Sequence, residues 1–280
     1  MPDEYVIENG HYGPRLIVKS SWSLRILKIA QQHDVRELEL NYAKGWKGDD
    51  LSFLNQVRFL KSFEIIDWKI DDVSPIHTLT ELQSLKVSTY CKTGINFDQF
   101  PHLEECVLEW RPKASSIFER TSLKRVFINK YPGKDMTKFR SLTALERLSL
   151  ASPKIETLNG IEALRRLNFF GVYEARKLQS ISGVETLSDL TVLEVNGCRR
   201  IKDVAPVSGL IKLRELHLCN MGDIDSIKPL SGLINLEKFF FYESTNILDG
   251  DLSPLKQLNK LNTIAFQARR HYSHASSDFP

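Results

Sequence analysis

Histidine and cysteine are the side chains of this sequence that could bind a metal ion or act as a nucleophile. His271 and His274 lie three residues apart, but no carboxylate or thiol accompanies them, so we expect a solvated pair. His33 and Asp34 fit a turn better than a catalytic pair. The sequence also contains no G-x-x-x-x-G-K-[ST], G-x-S-x-G or H-E-x-x-H motif. We therefore predict no catalytic residue, no metal, no cofactor and no enzyme activity.

The cysteines indicate a reducing compartment. Cys91, Cys106, Cys198 and Cys219 form no C-x-x-C pair, and free cysteines are typical of intracellular proteins. We expect Cys106 and Cys198 to be inert packing residues. Strand alternation places Cys219 on an exposed face, so we expect it to be the thiol that reacts readily.

Composition and charge limit the possible partners. The 280 residues are 42% hydrophobic and 26% charged, which excludes wholesale disorder. With 38 basic and 35 acidic residues the net charge is +3, too balanced to favour a nucleic acid or a membrane as partner. The first ten residues lack the pattern of a signal peptide, and no apolar run approaches the ~18 residues of a membrane helix. We predict a cytoplasmic protein.

An apolar L-x-x-L-x-L pattern recurs along almost the whole chain. Eleven copies follow one another at steps of 19 to 26 residues, so chance alignment is excluded. The copies are Val35/Leu38/Leu40, Leu60/Phe63/Ile65, Leu82/Leu85/Val87, Leu103/Cys106/Leu108, Leu123/Val126/Ile128, Leu145/Leu148/Leu150, Leu164/Leu167/Phe169, Leu190/Leu193/Val195, Leu213/Leu216/Leu218, Leu236/Phe239/Phe241 and Leu261/Ile264/Phe266. The 26-residue step predicts a bulging loop over Val172–Lys177.

The second half of the repeat carries apolar residues at every third position, often after proline. Clear copies are Ile70/Val73/Pro75/Ile76/Leu79, Ile201/Val204/Pro206/Val207/Leu210, Ile224/Ile227/Pro229/Leu230/Leu233 and Leu252/Pro254/Leu255/Leu258. A period of three suits a 3₁₀ turn better than an α-helix.

This repeat resembles the leucine-rich repeat family, in particular the short bacterial repeats of the internalin type. The resemblance implies an α/β right-handed solenoid with a parallel concave β-sheet and a convex side of 3₁₀ turns, short helices and loops. One family feature is missing. The third position after the last strand leucine is usually Asn, but here it holds other residues, including Ala43, Trp68 and Tyr90.

The repeats divide the chain into three segments. Residues 1–34 do not fit the pattern and are predicted to form an N-terminal cap, with a strand pair and a short helix that begins after Ser20 and Ser21 and carries Trp22, Ile26 and Ile29. Residues 35–268 form the solenoid of about eleven repeats. Residues 269–280 are polar, and we expect a frayed tail.

Alternation along each strand predicts which side chains lie on the concave face. Arg125, Arg147 and Arg166 fall in one column as a basic stripe, with glutamates on either side. Aromatic side chains and arginine are enriched at interface hot spots. The candidate partner-binding residues are Glu64, Glu105, Trp110, Arg125, Phe127, Arg147, Arg166, Phe170, Glu194, Phe240 and Tyr242.

These observations favour a non-enzymatic scaffold that binds a protein partner on its concave face. The arginine stripe predicts an acidic surface on that partner. An alternative is a bacterial immunity or inhibitor protein that covers the site of a toxin or an enzyme. Nucleic-acid binding through the arginine stripe is less favoured, because the flanking glutamates oppose it. The sequence leaves the partner and the oligomeric state open.

Overall fold

The computed structural model describes residues 4–279. The chain packs as two compact units, unit 1 up to Ile128 and unit 2 from Asn129 onwards. Each unit is described by itself.

Unit 1 begins with a strand pair and a helix, as the sequence predicts. Strand β1 (Tyr5–Asn9) pairs antiparallel with β2 (Pro14–Val18), and helix α1 spans Leu24–Gln32. The helix starts later than expected, because Ser23 is its N-cap and its hydroxyl accepts a hydrogen bond from the Ile26 amide at 3.3 Å. Ile26 and Ala30 form the buried side of α1.

The remaining strands of unit 1 extend this hairpin into a parallel sheet. They are β3 (Glu37–Asn41), β4 (Ser62–Ile66), β5 (Ser84–Ser88), β6 (Glu105–Glu109) and β7 (Arg125–Asn129). The strand order follows the chain, and β2 pairs parallel with β3. The leading inward residues are in register, with Leu38 opposite Phe63 and Phe63 opposite Leu85. The N-terminal hairpin therefore continues the sheet of the repeats.

Unit 2 repeats the same plan. Its main sheet contains β8 (Arg147–Ala151), β9 (Phe169–Tyr173), β10 (Val192–Asn196), β11 (Glu215–Cys219), β13 (Lys238–Phe241) and β15 (Thr263–Phe266), in that order. Each of these strands pairs parallel with the next. Two short strands, β12 (Asp223–Ile224) and β14 (Asn246–Ile247), pair parallel as a separate ribbon.

Short 3₁₀ turns occupy the second half of the repeats, as the period of three predicts. They are Ser52–Gln56, Ser74–Thr78, Phe97–Gln99, Ala114–Glu119, Thr137–Phe139, Ile161–Ala163, Val184–Thr186, Ala205–Gly209, Lys228–Gly232 and Ser253–Gln257. Two further 3₁₀ turns are Tyr42–Lys44, directly after β3, and Ser276–Asp278, in the C-terminal segment. Pro75, Pro206, Pro229 and Pro254 each lie in the first two positions of a turn. Proline is tolerated there because the first amides of a helical turn have no internal acceptor.

The repeat around β9 differs from the sequence prediction. Leu148 of β8 pairs with Phe170, and Leu150 pairs with Val172, so Phe169 is not the inward residue. The predicted copy Leu164/Leu167/Phe169 is wrong by three residues, because apolar residues at 161, 164, 167 and 170 fit the pattern in two registers. With Leu167 as the leading residue, the steps from Leu145 and to Leu190 become 22 and 23 residues. The predicted bulging loop is also wrong, since Val172 is a buried strand residue.

The polar C-terminal segment is ordered against the last repeat, so the expected frayed tail is corrected. The Tyr272 hydroxyl accepts a hydrogen bond from the Ile247 amide at 3.0 Å. The Ser273 hydroxyl accepts one from the Leu252 amide at 2.9 Å. The rings of Tyr272 and Phe279 lie 5.9 and 6.3 Å from that of Phe266. The segment covers apolar residues that the last strand would otherwise expose.

Candidate protein-binding surface

In each unit, the side chains that alternate with the inward residues of the strands form the exposed sheet face. In unit 1 this face carries an ion-pair cluster: Arg15 on β2, Glu39 on β3, Glu64 on β4, Lys86 on β5, Glu105 on β6 and Arg125 on β7. Arg15 lies 2.5 Å from the Glu39 carboxylate and 3.4 Å from Glu64. Glu105 lies 3.5 Å from Lys86 and 3.7 Å from Arg125. Opposite charges therefore neutralise one another within the cluster.

Two carboxyl groups of this cluster respond differently to their surroundings. The side chain of Glu39 is only 1% exposed, and Lys44 lies 2.7 Å from it. Burial by itself would raise the pKa of Glu39, but the hydrogen bond from Lys44 and the charge of Arg15 outweigh it and lower the pKa. Burial, followed by the negative charge of Glu39, raises the pKa of Glu64 despite the nearby Lys86 and Arg15.

The loop between β1 and β2 closes part of this face. The Tyr12 amide donates a 2.6 Å hydrogen bond to the Glu37 carboxylate. Gly10 lies so close that a Cβ there would be 2.5 Å from the carboxyl carbon of Glu37. A cavity of about 260 Å³ remains between this loop and the strands, bordered by Ser84 and Glu105 among others. Glu37 is therefore buried beneath this loop, and Glu39 is buried against Arg15 and Lys44, although the strand pattern places both on the open face.

The predicted arginine stripe is not present. Arg125 is engaged by Glu105 of the neighbouring strand. Arg166 is exposed in the turn before β9, and Phe169 takes the sheet position paired with Arg147. The guanidinium carbon of Arg147 lies 4.0 Å from the Phe169 ring centroid, a cation–π contact. The prediction was wrong because the register of β9 was displaced by three residues.

Phe170 is also displaced from its predicted place on the exposed sheet face. Its side chain points into the core of unit 2 and is 0% exposed. Phe169, one residue earlier, lies on the sheet face instead, where Arg147 covers it. Phe170 is therefore a packing residue and leaves the set of candidate contacts.

The exposed sheet face of unit 2 combines aromatic rings with charged groups on neighbouring strands. Tyr173 on β9 donates a hydrogen bond from its hydroxyl to the Glu194 carboxylate on β10. Burial, together with this hydrogen bond, raises the pKa of Tyr173, so the phenol stays protonated and keeps donating. Gly171 lies beneath the ring, because a Cβ at this position would be 2.4 Å from the Tyr173 hydroxyl.

The next strands of unit 2 continue this surface. The His217 ring on β11 lies 2.7 Å from the Glu215 carboxylate and 4.6 Å from the Phe240 ring centroid on β13. Lys238 lies 3.2 Å from Glu215 on its other side. Tyr242, directly after β13, is exposed. We name Arg147, Phe169, Tyr173, Glu194, His217, Phe240 and Tyr242 the aromatic face of unit 2.

The other predicted contact residues lie on unit 1. Phe127 is a half-buried residue of β7 on the exposed sheet face. Trp110 follows β6 directly and is half-buried, with its ring stacked 5.9 Å from that of Phe118. Glu64 and Glu105 belong to the ion-pair cluster described above.

Three residues of the aromatic face were absent from the predicted set. Phe169 and Tyr173 were missed because of the displaced register of β9. His217 stood in the correct column next to Phe240 of the following strand, and this pairing of a histidine with an aromatic residue was a signal that could have been used. Only the packing shows that its ring contacts Phe240.

Comparison with solved structures decides the fold. An internalin, InlF of Listeria monocytogenes, superposes with a TM-score of 0.66 at 20% identity, covering 92% of this chain and 83% of that one. The functional domain of InlJ from the same organism gives a TM-score of 0.58 at 17% identity, covering 90% of this chain and 63% of that one. A leucine-rich repeat protein of Leptospira interrogans gives 0.52 at 17% identity, covering 90% and 77%.

The fold is the leucine-rich repeat solenoid. No protein-family model and no curated protein matches the sequence. In this leucine-rich repeat fold the usual inward Asn is replaced in two ways. In unit 2, Ala175, Cys198 and Met221 fill the inward position after the strand. In unit 1, Asp67 and Thr89 are buried one position earlier, and the residues that follow them point outwards.

The leucine-rich repeat fold contains neither a membrane-spanning helix nor a metal-binding cluster among residues 4–279. Within residues 4–279, no helix is both long and apolar enough to cross a bilayer. Over the same residues, no group of three or more histidine, cysteine, aspartate and glutamate side chains is arranged to hold a metal ion.

Cys219 is buried rather than exposed, so its predicted reactivity is corrected. It is 2% exposed, its thiol lies 3.7 Å from the Phe240 carbonyl, and burial is the main cause that raises its pKa. Burial likewise raises the pKa of Cys106, and it raises that of Cys198 to about 12. Cys91 is only partly buried. The sequence prediction failed because β11 ends at Cys219, where the following loop and strand cover it.

We expect one thiol of the native protein to react with Ellman's reagent well before the other three. Replacing Cys91 with Ser should abolish this fast phase, because a buried thiol with a raised pKa forms little thiolate. Cys219→Ser should leave the fast phase intact and serves as the control. Fast labelling that disappears in Cys219→Ser would contradict the placement of this side chain.

Proposed function

We propose that this protein is a non-enzymatic scaffold that binds a protein partner on the aromatic face of unit 2. The observation that carries the proposal is the concentration of rings beside charged groups on five neighbouring strands, where Phe169 is covered by Arg147 and the other rings, Tyr173, His217, Phe240 and Tyr242, are partly exposed. Tyrosine, phenylalanine and arginine are the residue types enriched at the centres of protein interfaces. A single exposed ring would need no explanation, whereas a continuous group supports a binding surface.

The packing of this face favours tight binding by reducing the entropy lost on association. The Tyr173 ring is held by its hydrogen bond to Glu194, and Phe240 is held against His217. Arg147 is held over the Phe169 ring. Immobilising a free side chain at an interface opposes binding by about 0.5–1.5 kcal/mol, so rings that are already ordered lose less. The surface is therefore preorganised.

The charges of the aromatic face bear on the chemistry of the partner. Glu215 is bonded to His217 and Lys238, and Glu194 accepts the hydrogen bond from Tyr173. The guanidinium of Arg147 covers the Phe169 ring, and Arg147 itself is exposed. We propose that the partner places an acidic group opposite Arg147 and apolar side chains opposite Phe240 and Tyr242.

A reducing, cytoplasmic location is part of the proposal. All four cysteines are free, and Cys106, Cys198 and Cys219 are buried packing residues. Free thiols persist where the compartment keeps them reduced.

The proposal is tested by comparing paired variants in affinity capture from cell extract and then with the purified partner. Phe240→Ala together with Tyr242→Ala should weaken binding of that partner at least about 30-fold, the scale of losing one interface hot spot. Ile211→Ala together with Ile234→Ala is the matched control, because these side chains are apolar and 59% and 64% exposed but lie outside the sheet. The control should bind as wild type does, by calorimetry.

The acidic group proposed on the partner, opposite Arg147, is tested separately. Arg147→Glu should weaken binding further, and added salt should weaken the wild-type complex but not that of Arg147→Gln. A partner that binds all of these variants with wild-type affinity would show that the aromatic face is not the binding surface.

A further inference from the structure

Three aromatic side chains of unit 1 form an exposed ladder at the edge of the sheet where β3, β4 and β5 end. The aromatic ladder consists of Tyr42, Trp68 and Tyr90, which are 41%, 45% and 71% exposed. The ring centroids of Tyr42 and Trp68 are 3.5 Å apart. Those of Trp68 and Tyr90 are 6.3 Å apart, with their planes inclined by 26°. Exposed tryptophan and tyrosine in contact with one another are unusual on a surface that only faces water.

The local structure explains why the Trp68 and Tyr90 rings point outwards. Asp67 and Thr89 are buried in the position that an inward residue would occupy. The Asp67 carboxylate accepts a 2.7 Å hydrogen bond from the Lys69 amide, and the Thr89 hydroxyl accepts one from Arg111 at 3.3 Å. Because the backbone continues from an inward residue, Trp68 and Tyr90 are turned to solvent.

The core of the repeat does not require exposed rings at these positions. In the equivalent loops of unit 2, Glu174 and Asn220 adopt positive φ of 53° each, and the next residues, Ala175 and Met221, are buried. The same fold is therefore built there without an aromatic side chain in solvent. Packing of the core therefore does not require the exposed rings of Trp68 and Tyr90 in unit 1.

Lysines accompany the rings of the aromatic ladder. Lys69 directly follows Trp68, Lys92 follows Tyr90 by two residues, and both are exposed. Within residues 4–279, no ion pair within 4.0 Å involves Lys69 or Lys92. The nearby Asp72 carboxylate accepts hydrogen bonds from the Ser74 amide at 2.8 Å and hydroxyl at 2.6 Å, and these bonds lower its pKa. The two ammonium groups are available to a ligand.

We propose that the aromatic ladder binds an extended, acidic segment of a partner protein. In an extended chain, side chains on one face recur every two residues, about 6.4–6.8 Å apart, which matches the 6.3 Å between the Trp68 and Tyr90 rings. Two alternate apolar or aromatic side chains of the segment therefore contact the two rings. Carboxylates of the same segment face Lys69 and Lys92.

A single-stranded nucleic acid is the other macromolecule that combines ring stacking with positive charge. It fits this edge less well. A nucleic acid carries a phosphate after every base, and Asp49, Asp50 and Asp71, which are exposed in the same loops, repel phosphates. A peptide can place its carboxylates opposite the lysines alone. The ladder also lies on unit 1, so it is a second binding surface beyond the aromatic face of unit 2.

The test uses a defined probe, the random copolymer of glutamate and tyrosine, with polyglutamate and oligo-dT as comparators. We expect the copolymer to bind more tightly than either comparator, with an affinity that falls as salt is added. Trp68 is exposed, whereas Trp22 and Trp110 are half-buried and Trp46 is buried. Binding at the ladder should therefore also change the tryptophan emission. Trp68→Phe should reduce this change while retaining most of the affinity.

Two pairs of variants locate the site. Trp68→Ala together with Tyr90→Ala should lower copolymer affinity at least about tenfold. Lys69→Glu together with Lys92→Glu leaves the rings in place and should also weaken binding, even if the first pair folds poorly. Phe240→Ala together with Tyr242→Ala should leave copolymer binding unchanged, which separates this surface from the aromatic face. The proposal would be overturned if the copolymer does not bind, if polyglutamate binds as tightly, or if oligo-dT binds more tightly. Copolymer affinity that is unchanged in both the ring pair and the lysine pair would also overturn it.

Discussion

Replacing Phe170 with Ala is expected to lower the free energy of unfolding by about 3–5 kcal/mol, the range for truncating a buried aromatic side chain. Phe170 is 0% exposed in the core of unit 2 and lies in register with Leu148 of β8 and Leu193 of β10. Truncation leaves a cavity that neighbours on adjacent strands cannot fill without moving the sheet. Urea denaturation followed by circular dichroism measures the change.

Phe240→Ala is the matched control for this substitution. Phe240 is the same residue type on another strand of unit 2, but its ring is partly exposed against His217. Its truncation should lower the free energy of unfolding by only about 1 kcal/mol. Equal losses for Phe170→Ala and Phe240→Ala would mean that Phe170 faces solvent, as the unshifted register of Leu164/Leu167/Phe169 requires.

Ending the chain after Gln267 is expected to destabilise unit 2 by at least about 3 kcal/mol, because it removes rings that cover apolar residues of the last repeat. Phe266 loses its contacts with Tyr272 and Phe279, and Phe241 loses its contact with Tyr272. The Ile247 and Leu252 amides lose their hydroxyl acceptors. The midpoint of thermal unfolding should fall by at least about 6 °C, and binding of the dye ANS should increase.

Point variants keep this prediction decisive if the shortened chain is insoluble. Tyr272→Ala together with Phe279→Ala retains the backbone of the segment and should reproduce most of the loss. Arg270→Ala, a substitution of an exposed residue in the same segment, should change the free energy of unfolding by less than about 0.5 kcal/mol. A frayed tail would instead make all of these variants as stable as wild type.

The charged residues show what equivalent strand positions in the sequence can and cannot reveal about the exposed sheet face. Alternation correctly places Glu64, Lys86 and Glu105 on the exposed sheet face, because side-chain direction in a strand depends only on residue parity. Whether a charge is available to a partner depends on distances to groups far away in the chain. Arg15, which the repeat pattern does not include, lies against Glu39 and Glu64 and neutralises acids that appear unpaired in the columns.

The sequence by itself determined the repeat, the strands, the 3₁₀ turns and most of the inward residues. A periodic pattern of this kind is repeated in every copy, so a local error in one copy does not change the others. The strand pair and helix before the first repeat were predictable from local signals as well. The leucine-rich repeat fold therefore followed from short-range pattern alone.

The tertiary structure alone decided the register of β9, the packing of the C-terminal segment and the surroundings of each exposed group. The apolar residues at 161, 164, 167 and 170 allow two registers, and only pairing with β8 and β10 selects Phe170 as the inward side chain. The order of residues 269–279 comes in part from hydrogen bonds to amides 25 and 21 residues earlier. The contact between Trp68 and Tyr90 likewise joins residues of successive repeats, whose side chains meet only when the coils stack.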